Sequence, residues 1–184
     1  VWTVATGVAI CGAPAGPDSG LCVKWLNNRS DRFVTGGNFH VRVWQVDFNL
    51  PKLHCIDVKL GSVRRIIVRL AIEPDDHYAY CGTSTGDVMK VKIDRDELRS
   101  FNDPDILIPS LCGCTKDRFS KGVKMLVCVE NPKTGNYNLL LGAGDGTVVY
   151  MNPSLVTVGG LKTQLMGGIT SISPHPKGNK FMVG

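Results

Sequence analysis

The sequence predicts an all-β fold built from repeated four-stranded antiparallel sheets. Three observations lead there. The stretches "RFVTGGNFHVRVWQV" (32–46), "YAYCGTSTGDVMKVKI" (78–93) and "NLLLGAGDGTVVYMN" (138–152) share one layout, a short apolar run, a glycine-rich turn and an alternating strand. The layout returns every roughly 40 to 60 residues, the scale of a structural repeat. No segment sustains the 3.6-residue spacing of an amphipathic helix.

Each repeat can be read in order. Val1-Trp2 matches Val43-Trp44, so residues 1–20 read as the end of one repeat. "LCVKWL" (21–26) is a first strand, the 32–46 hairpin supplies two more, and "LHCIDV" (53–58) is a weaker outer strand, giving a repeat over 21–60. "RIIVRLAI" (65–72) opens the repeat over 61–121, and "GVKMLVCV" (122–129) opens that over 122–166. "GGITSI" (167–172) and "KFMVG" (180–184) begin another over 167–184. Four short antiparallel strands per repeat describe a β-propeller blade of WD-repeat type. The chain then holds three complete blades and two partial ones. Closed propellers use about four to eight, so the expectation is a stretch of a longer protein.

The glycine-rich turns decide between two functions. A phosphate-binding loop follows a strand and opens a helix, whose amides and dipole hold the anion. After Gly142, Gly144, Asp145 and Gly146 comes "TVVYM", which is β-branched and alternating. A hairpin turn is therefore expected, with glycine supplying positive φ. The same reading makes Gly36, Gly37, Gly82 and Gly86 blade-turn residues, and Trp2 and Trp44 strand positions. It leaves no cofactor site.

Composition narrows the rest. The 184 residues are 43% hydrophobic and 20% charged, as in an ordinary globular domain. No apolar stretch reaches the roughly 18 residues of a membrane helix, so no membrane partner is expected. "VATGVAICGAPA" carries an Ala13-Pro14-Ala15 cleavage-like pattern but lacks an initiator Met and a basic leader, and it reads as a strand. The net charge of +5 is unconcentrated along the chain, with Arg64-Arg65 its densest point. No nucleic-acid partner is expected from that distribution. The seven cysteines are irregularly spaced, mostly within apolar runs, which points to a reducing cytosolic compartment. There the Asn28-Arg29-Ser30 sequon carries no glycan.

Candidate chemistry is sparse. Cys112 and Cys114 form the one close cysteine pair, without the two further ligands of a structural zinc site. His40, His54, His77 and His175 are scattered. Asp75, Asp76 and Asp145 are expected at solvated hairpin tips, remote from acid–base work. No catalytic residue, metal ligand or small-molecule substrate is assigned. Residues 93–122 break the repeat spacing and read as an inserted loop; such inserts map to one face, often the binding face, and the loop is read either as a partner contact or as a tolerated insertion.

Together, "ICGAPA" (10–15), "TGGNFHVRVWQVD" (35–47), "GTSTGDVMK" (82–90), "DRFSKGV" (117–123), "LLLGAGDG" (139–146) and "MGGITSI" (166–172) resemble the cilia- and flagella-associated WD-repeat proteins that sit inside axonemal doublet microtubules. The resemblance spans nearly the whole chain, in that family's order. It implies the later blades of the first of two tandem propellers, and a non-catalytic structural protein supporting cilium stability and motility. The implied partners are tubulin of the doublet microtubule and other axonemal proteins. The implied location is the cytoplasm and cytoskeleton, in the axoneme of cilia and flagella. The alternative is a general cytosolic WD-repeat scaffold or adaptor. The chain departs from the WD pattern at Trp2-Thr3 and Trp44-Gln45, and it lacks the Gly-His pair at Gly61-Ser62, Gly122-Val123 and Gly168-Ile169. The usual Asp–His relay within a blade is therefore expected to be absent or replaced.

Overall fold

A computed structural model describes residues 1–13, 18–93, 108–130, 135–162, 164–176 and 180–184. Among them every regular element is a strand. The first sheet runs β1 (Gly20–Trp25), β2 (Arg32–Gly37), β3 (Val41–Asp47) and β4 (Lys52–Asp57). The second runs β5 (Ile67–Ile72), β6 (Tyr78–Thr83), β7 (Val88–Lys92) and β8 (Ser110–Cys114). The third runs β9 (Val123–Glu130), β10 (Tyr137–Ala143), β11 (Val148–Met151) and β12 (Thr157–Gly160). In each, the strands lie side by side in chain order and pair antiparallel, as short connections dictate. Strands β13 (Ile172–Pro174) and β14 (Phe181–Val183) pair as a fourth, two-stranded sheet.

The cores lie between sheets, because alternate residues of a strand face opposite ways. On β10, Leu139 and Leu141 pack toward the second sheet with Tyr80, Val88, Val123 and Met151. Leu140, between them, packs toward the fourth sheet with Val148, Ile169 and Ile172. On β6, Ala79 and Cys81 face the first sheet while Tyr80 faces the third. All three leucines are fully buried, and each such burial stabilises by about 1.5–3 kcal/mol.

One glycine per sheet sets the spacing between neighbours. A Cβ on Gly36 would stand 2.6 Å from Ile67 Cγ2, on Gly82 2.6 Å from Val123 Cγ1, and on Gly142 2.5 Å from Ile169 Cγ2. Each glycine lies on the second strand of a sheet, and each branched residue lies at or just before the first strand of the next. Gly36, Gly37, Gly82 and Gly142 thus sit within strands, in contrast to the turn positions expected from sequence. Gly36, Gly82 and Gly142 need room for the neighbouring sheet, whereas a Cβ on Gly37 would stand 2.0 Å from Ser19 O at the entry to its own sheet.

Three other expectations differ. Trp2 makes only an isolated bridge to Ala9 and is largely exposed. Within "GGITSI", only Ile172 is in a strand; Ile169 is buried ahead of it. The 93–122 segment contains β8, the outer strand of its sheet, so the insertion is narrower than the broken spacing suggests. Its residues 94–107 lie outside those described.

Candidate interaction site on the hairpin face

The turns between second and third strands share one edge of the arc with the connections that enter each following sheet. In the second sheet, Thr83 N donates to Asp87 O (3.1 Å) and Gly86 N to Thr83 O (3.2 Å), with Gly86 at φ +94°. In the third, Ala143 N donates to Thr147 O (2.9 Å) and Gly146 N to Ala143 O (3.2 Å), with Gly146 at φ +91°. Both are three-residue hairpin loops closed by a left-handed glycine. The first sheet turns one residue sooner, with Gly37 N on His40 O (3.2 Å) and Phe39 carrying the positive φ.

Gly86 and Gly146 answer to a second constraint. Phe119 N donates to Gly86 O (2.9 Å) and Leu165 N to Gly146 O (3.1 Å). A Cβ would stand 2.0 Å from Phe119 O or from Leu165 O. Gly144 N donates to Gly122 O (3.0 Å) and Thr147 N to Asp145 Oδ1 (2.9 Å). The amides a phosphate would need are committed to protein acceptors, and a strand follows.

In the second sheet an Arg–Asp–Thr cluster occupies the turn. Asp87 is buried and accepts from Arg65 Nε (2.7 Å), Thr85 Oγ1 (2.6 Å) and the Thr83 hydroxyl. Burial pushes its carboxyl up, but the bonds from Thr83, Thr85 and Arg65 outweigh this and hold it below the ordinary carboxylate value. Arg65 precedes β5, so the cluster ties the first strand to the turn and stands where an Asp–His relay is usual. In the first sheet, Trp44 Nε1 donates to Thr35 Oγ1 (2.9 Å) across β2 and β3.

The opposite edge carries clasps that the sequence did not reveal. Asp76, at φ +62° and buried, accepts from Asn27 N (2.7 Å), Asn28 N (2.7 Å) and Asn27 Nδ2 (3.0 Å). Asn28 Nδ2 donates to Pro74 O (2.6 Å). Asp76 therefore joins the first two sheets and is not the solvated tip expected. Between the second and third sheets, Tyr137 donates to the buried Glu73, and the Tyr80 and Tyr137 hydroxyls meet at 2.8 Å. Burial first, then the bond to Glu73, pushes the Tyr137 phenol well up. The usable signal was the asparagine pair and the Pro-Asp-Asp run, both turn formers, but their pairing needs two sheets side by side.

All seven cysteines are free. Burial pushes Cys22 and Cys55 up to about 11 and Cys128 to about 12, so these thiols stay protonated at neutral pH. Cys112 and Cys114 are exposed on β8. Among the described residues, no three His, Cys, Asp or Glu side chains converge as metal ligands.

No protein-family model matches the chain. Among curated proteins, cilia- and flagella-associated protein 52 of Chlamydomonas reinhardtii is 34% identical over 187 residues. The proteins of the same name from Bos taurus and Homo sapiens are 35% identical over 188 and 191 residues. All of this chain is covered, but it spans only 27% of each relative's length. Among solved structures, the WD40 β-propeller domain of Doa1 superposes with TM-score 0.65 at 11% identity, covering 92% of this chain and 49% of that one. A chain of the mitotic checkpoint complex gives 0.66 at 16% identity, covering 100% and 49%. At such identities the likeness shows the fold alone. With its sheets in WD40 β-propeller order and its whole length aligned to those relatives, the chain belongs with the cilia- and flagella-associated WD-repeat proteins as a segment of a propeller.

Proposed function

We propose that the protein containing this chain is a non-catalytic structural scaffold of ciliary and flagellar axonemal doublet microtubules, supporting cilium stability and motility. The observation that carries the reading is the 34–35% identity, sustained over the whole chain, to relatives named for cilia and flagella. The geometry agrees with it. The glycine-rich turns commit their amides to neighbouring strands, and the buried acids Asp76, Asp87 and Glu73 are occupied in joining strands and sheets. Tubulin and other axonemal proteins are the partners proposed, met through the blade edges and the 93–122 segment. A tagged full-length protein is expected to follow the axoneme of motile cilia and stay with it through a moderate salt wash, because packed interfaces resist screening. Diffuse cytoplasmic signal in ciliated cells overturns the reading in favour of a general cytosolic adaptor.

A further inference from the structure

We propose that the hairpin face at the junction of the second and third sheets docks an acidic segment of a partner protein. Five exposed cations lie on the segments that cover the hairpins of these two sheets, and two of them, Lys121 and Lys124, meet at Gly144. Lys116, Arg118 and Lys121 lie between β8 and β9, Lys124 lies at the start of β9, and Lys162 follows β12. The hydrogen bonds of Phe119 to Gly86, Gly144 to Gly122 and Leu165 to Gly146 bring these segments to one edge. Lys121 and Lys124 both crowd Gly144, whose Cβ would stand 2.8 Å from Lys121 Cβ and 2.9 Å from Lys124 Cε.

Among the described residues, these charges have no carboxylate paired with them to neutralise them, unlike two arginines of the first two sheets. Arg42 is paired with Asp57 at 2.7 Å, and Arg65 with Asp87 at 2.7 Å. Among the described residues, none of the five makes an ion pair within bonding distance. Asp117 and Asp145 are the carboxylates in their midst, so the cluster remains net positive. The charge that looks dispersed along the sequence is concentrated by the fold. A basic patch favours an acidic partner and raises its association rate.

Apolar side chains stand beside the charges. Leu161, Leu165 and Met166 are exposed, Met166 fully. They offer a partner anchoring contacts that charge alone does not. A protein segment fits this mixture better than a nucleic acid. Phe119, the aromatic ring of this connection, packs against the core and leaves no stacking platform for bases, whereas the exposed leucines and methionine suit apolar side chains of a peptide.

The surface rests on the scaffold reading only in supposing a protein partner. The test uses the full-length protein and three fluorescent probes: a peptide of glutamate pairs separated by leucines, its glutamine twin, and single-stranded DNA of equal charge. The glutamate peptide is expected to bind in preference to both others. Reversing Lys116, Arg118, Lys121 and Lys124 to Glu is expected to weaken it by about tenfold or more. Leu165→Ser with Met166→Ser is expected to weaken the peptide and leave DNA unchanged. If reversal lowers the melting temperature, the same four positions are changed to Gln, with loss of peptide binding still expected. Equal binding of the glutamate and glutamine peptides, tighter binding of DNA, or full binding by the Gln variant overturns the proposal. Axonemal retention is scored separately, so either reading can fail while the other stands.

Discussion

The second and third sheets carry the same hairpin with its polar residues in opposite order. Thr85-Gly86-Asp87 closes one and Asp145-Gly146-Thr147 closes the other. In both, the aspartate and threonine bond across the glycine: Thr85 Oγ1 to Asp87 Oδ1 at 2.6 Å, and Thr147 N to Asp145 Oδ1 at 2.9 Å. The consequences differ. An aspartate after the glycine heads the returning strand, is buried and meets Arg65. An aspartate before it stays at the turn's outer side, partly exposed, and shapes only local backbone. The glycine is thus the shared requirement, and the order of its neighbours decides whether the turn is tied to the first strand by charge.

The largest effect should be common to both turns. Gly86→Val and Gly146→Val each force a branched residue to φ above +90° and drive a Cβ to 2.0 Å from a carbonyl oxygen of the next connection. A loss of about 3 kcal/mol or more is expected for either. Urea unfolding of the full-length protein, with hydrogen exchange at Val88 and Val148 to localise the change, checks this. A tolerated Gly146→Val beside a damaging Gly86→Val would show that the turns are not equivalent.

Next in size is Asp87→Ala. It removes the acceptor of Arg65 Nε and of both threonine hydroxyls, which keep each other at 3.0 Å, so about 2 kcal/mol is expected. The loss should appear as faster exchange at the start of β7 and around Ile67. Equal losses from Asp87→Ala and Asp145→Ala would erase the distinction between the two turns.

How far the sequence carried this comparison depends on the range of each interaction. Strand periodicity and glycine-turn signals are local, so the sheets and the hairpins around Gly86 and Gly146 were legible. The strand glycines Gly36, Gly82 and Gly142 look like turn residues because they adjoin turns. Their purpose, contact with Ile67, Val123 and Ile169, appears only when sheets stack. The Asp76 and Tyr137 clasps and the Lys116–Lys124–Lys162 cluster were illegible for the same reason. Their members are far apart in the chain, and each alone reads as an ordinary surface residue.

Acid should act unequally on the two turns. Asp87 is held below its ordinary value when folded, whereas an unfolded aspartate titrates near about 3.9. Its stabilisation is therefore fully present above about pH 4 and lost as pH falls through the lower folded value. Asp87→Asn should flatten the acid limb of stability against pH. An unchanged limb would mean that the Arg65 pairing contributes little.

The smallest effect expected is that of Asp145→Ala. Burial pushes Asp145 up, but the Thr147 amide and hydroxyl, with Lys121 nearby, bring it below the ordinary value. The group is open to water, which replaces most of what the turn provides, so about 0.5–1 kcal/mol is the expected cost. Its carbonyl still accepts from Gln164 Nε2 at 2.6 Å whatever the side chain. The substitution also removes one of the two carboxylates among the five cations of the hairpin face. Asp145→Ala should consequently lower stability slightly while tightening the glutamate peptide, an opposite sign in two measurements on one protein. Asp87→Ala should lower stability far more and leave the peptide unchanged, because that carboxylate is buried beneath the turn. If both variants shift the peptide alike, Asp145 does not border the patch, and the two turns differ in stability alone.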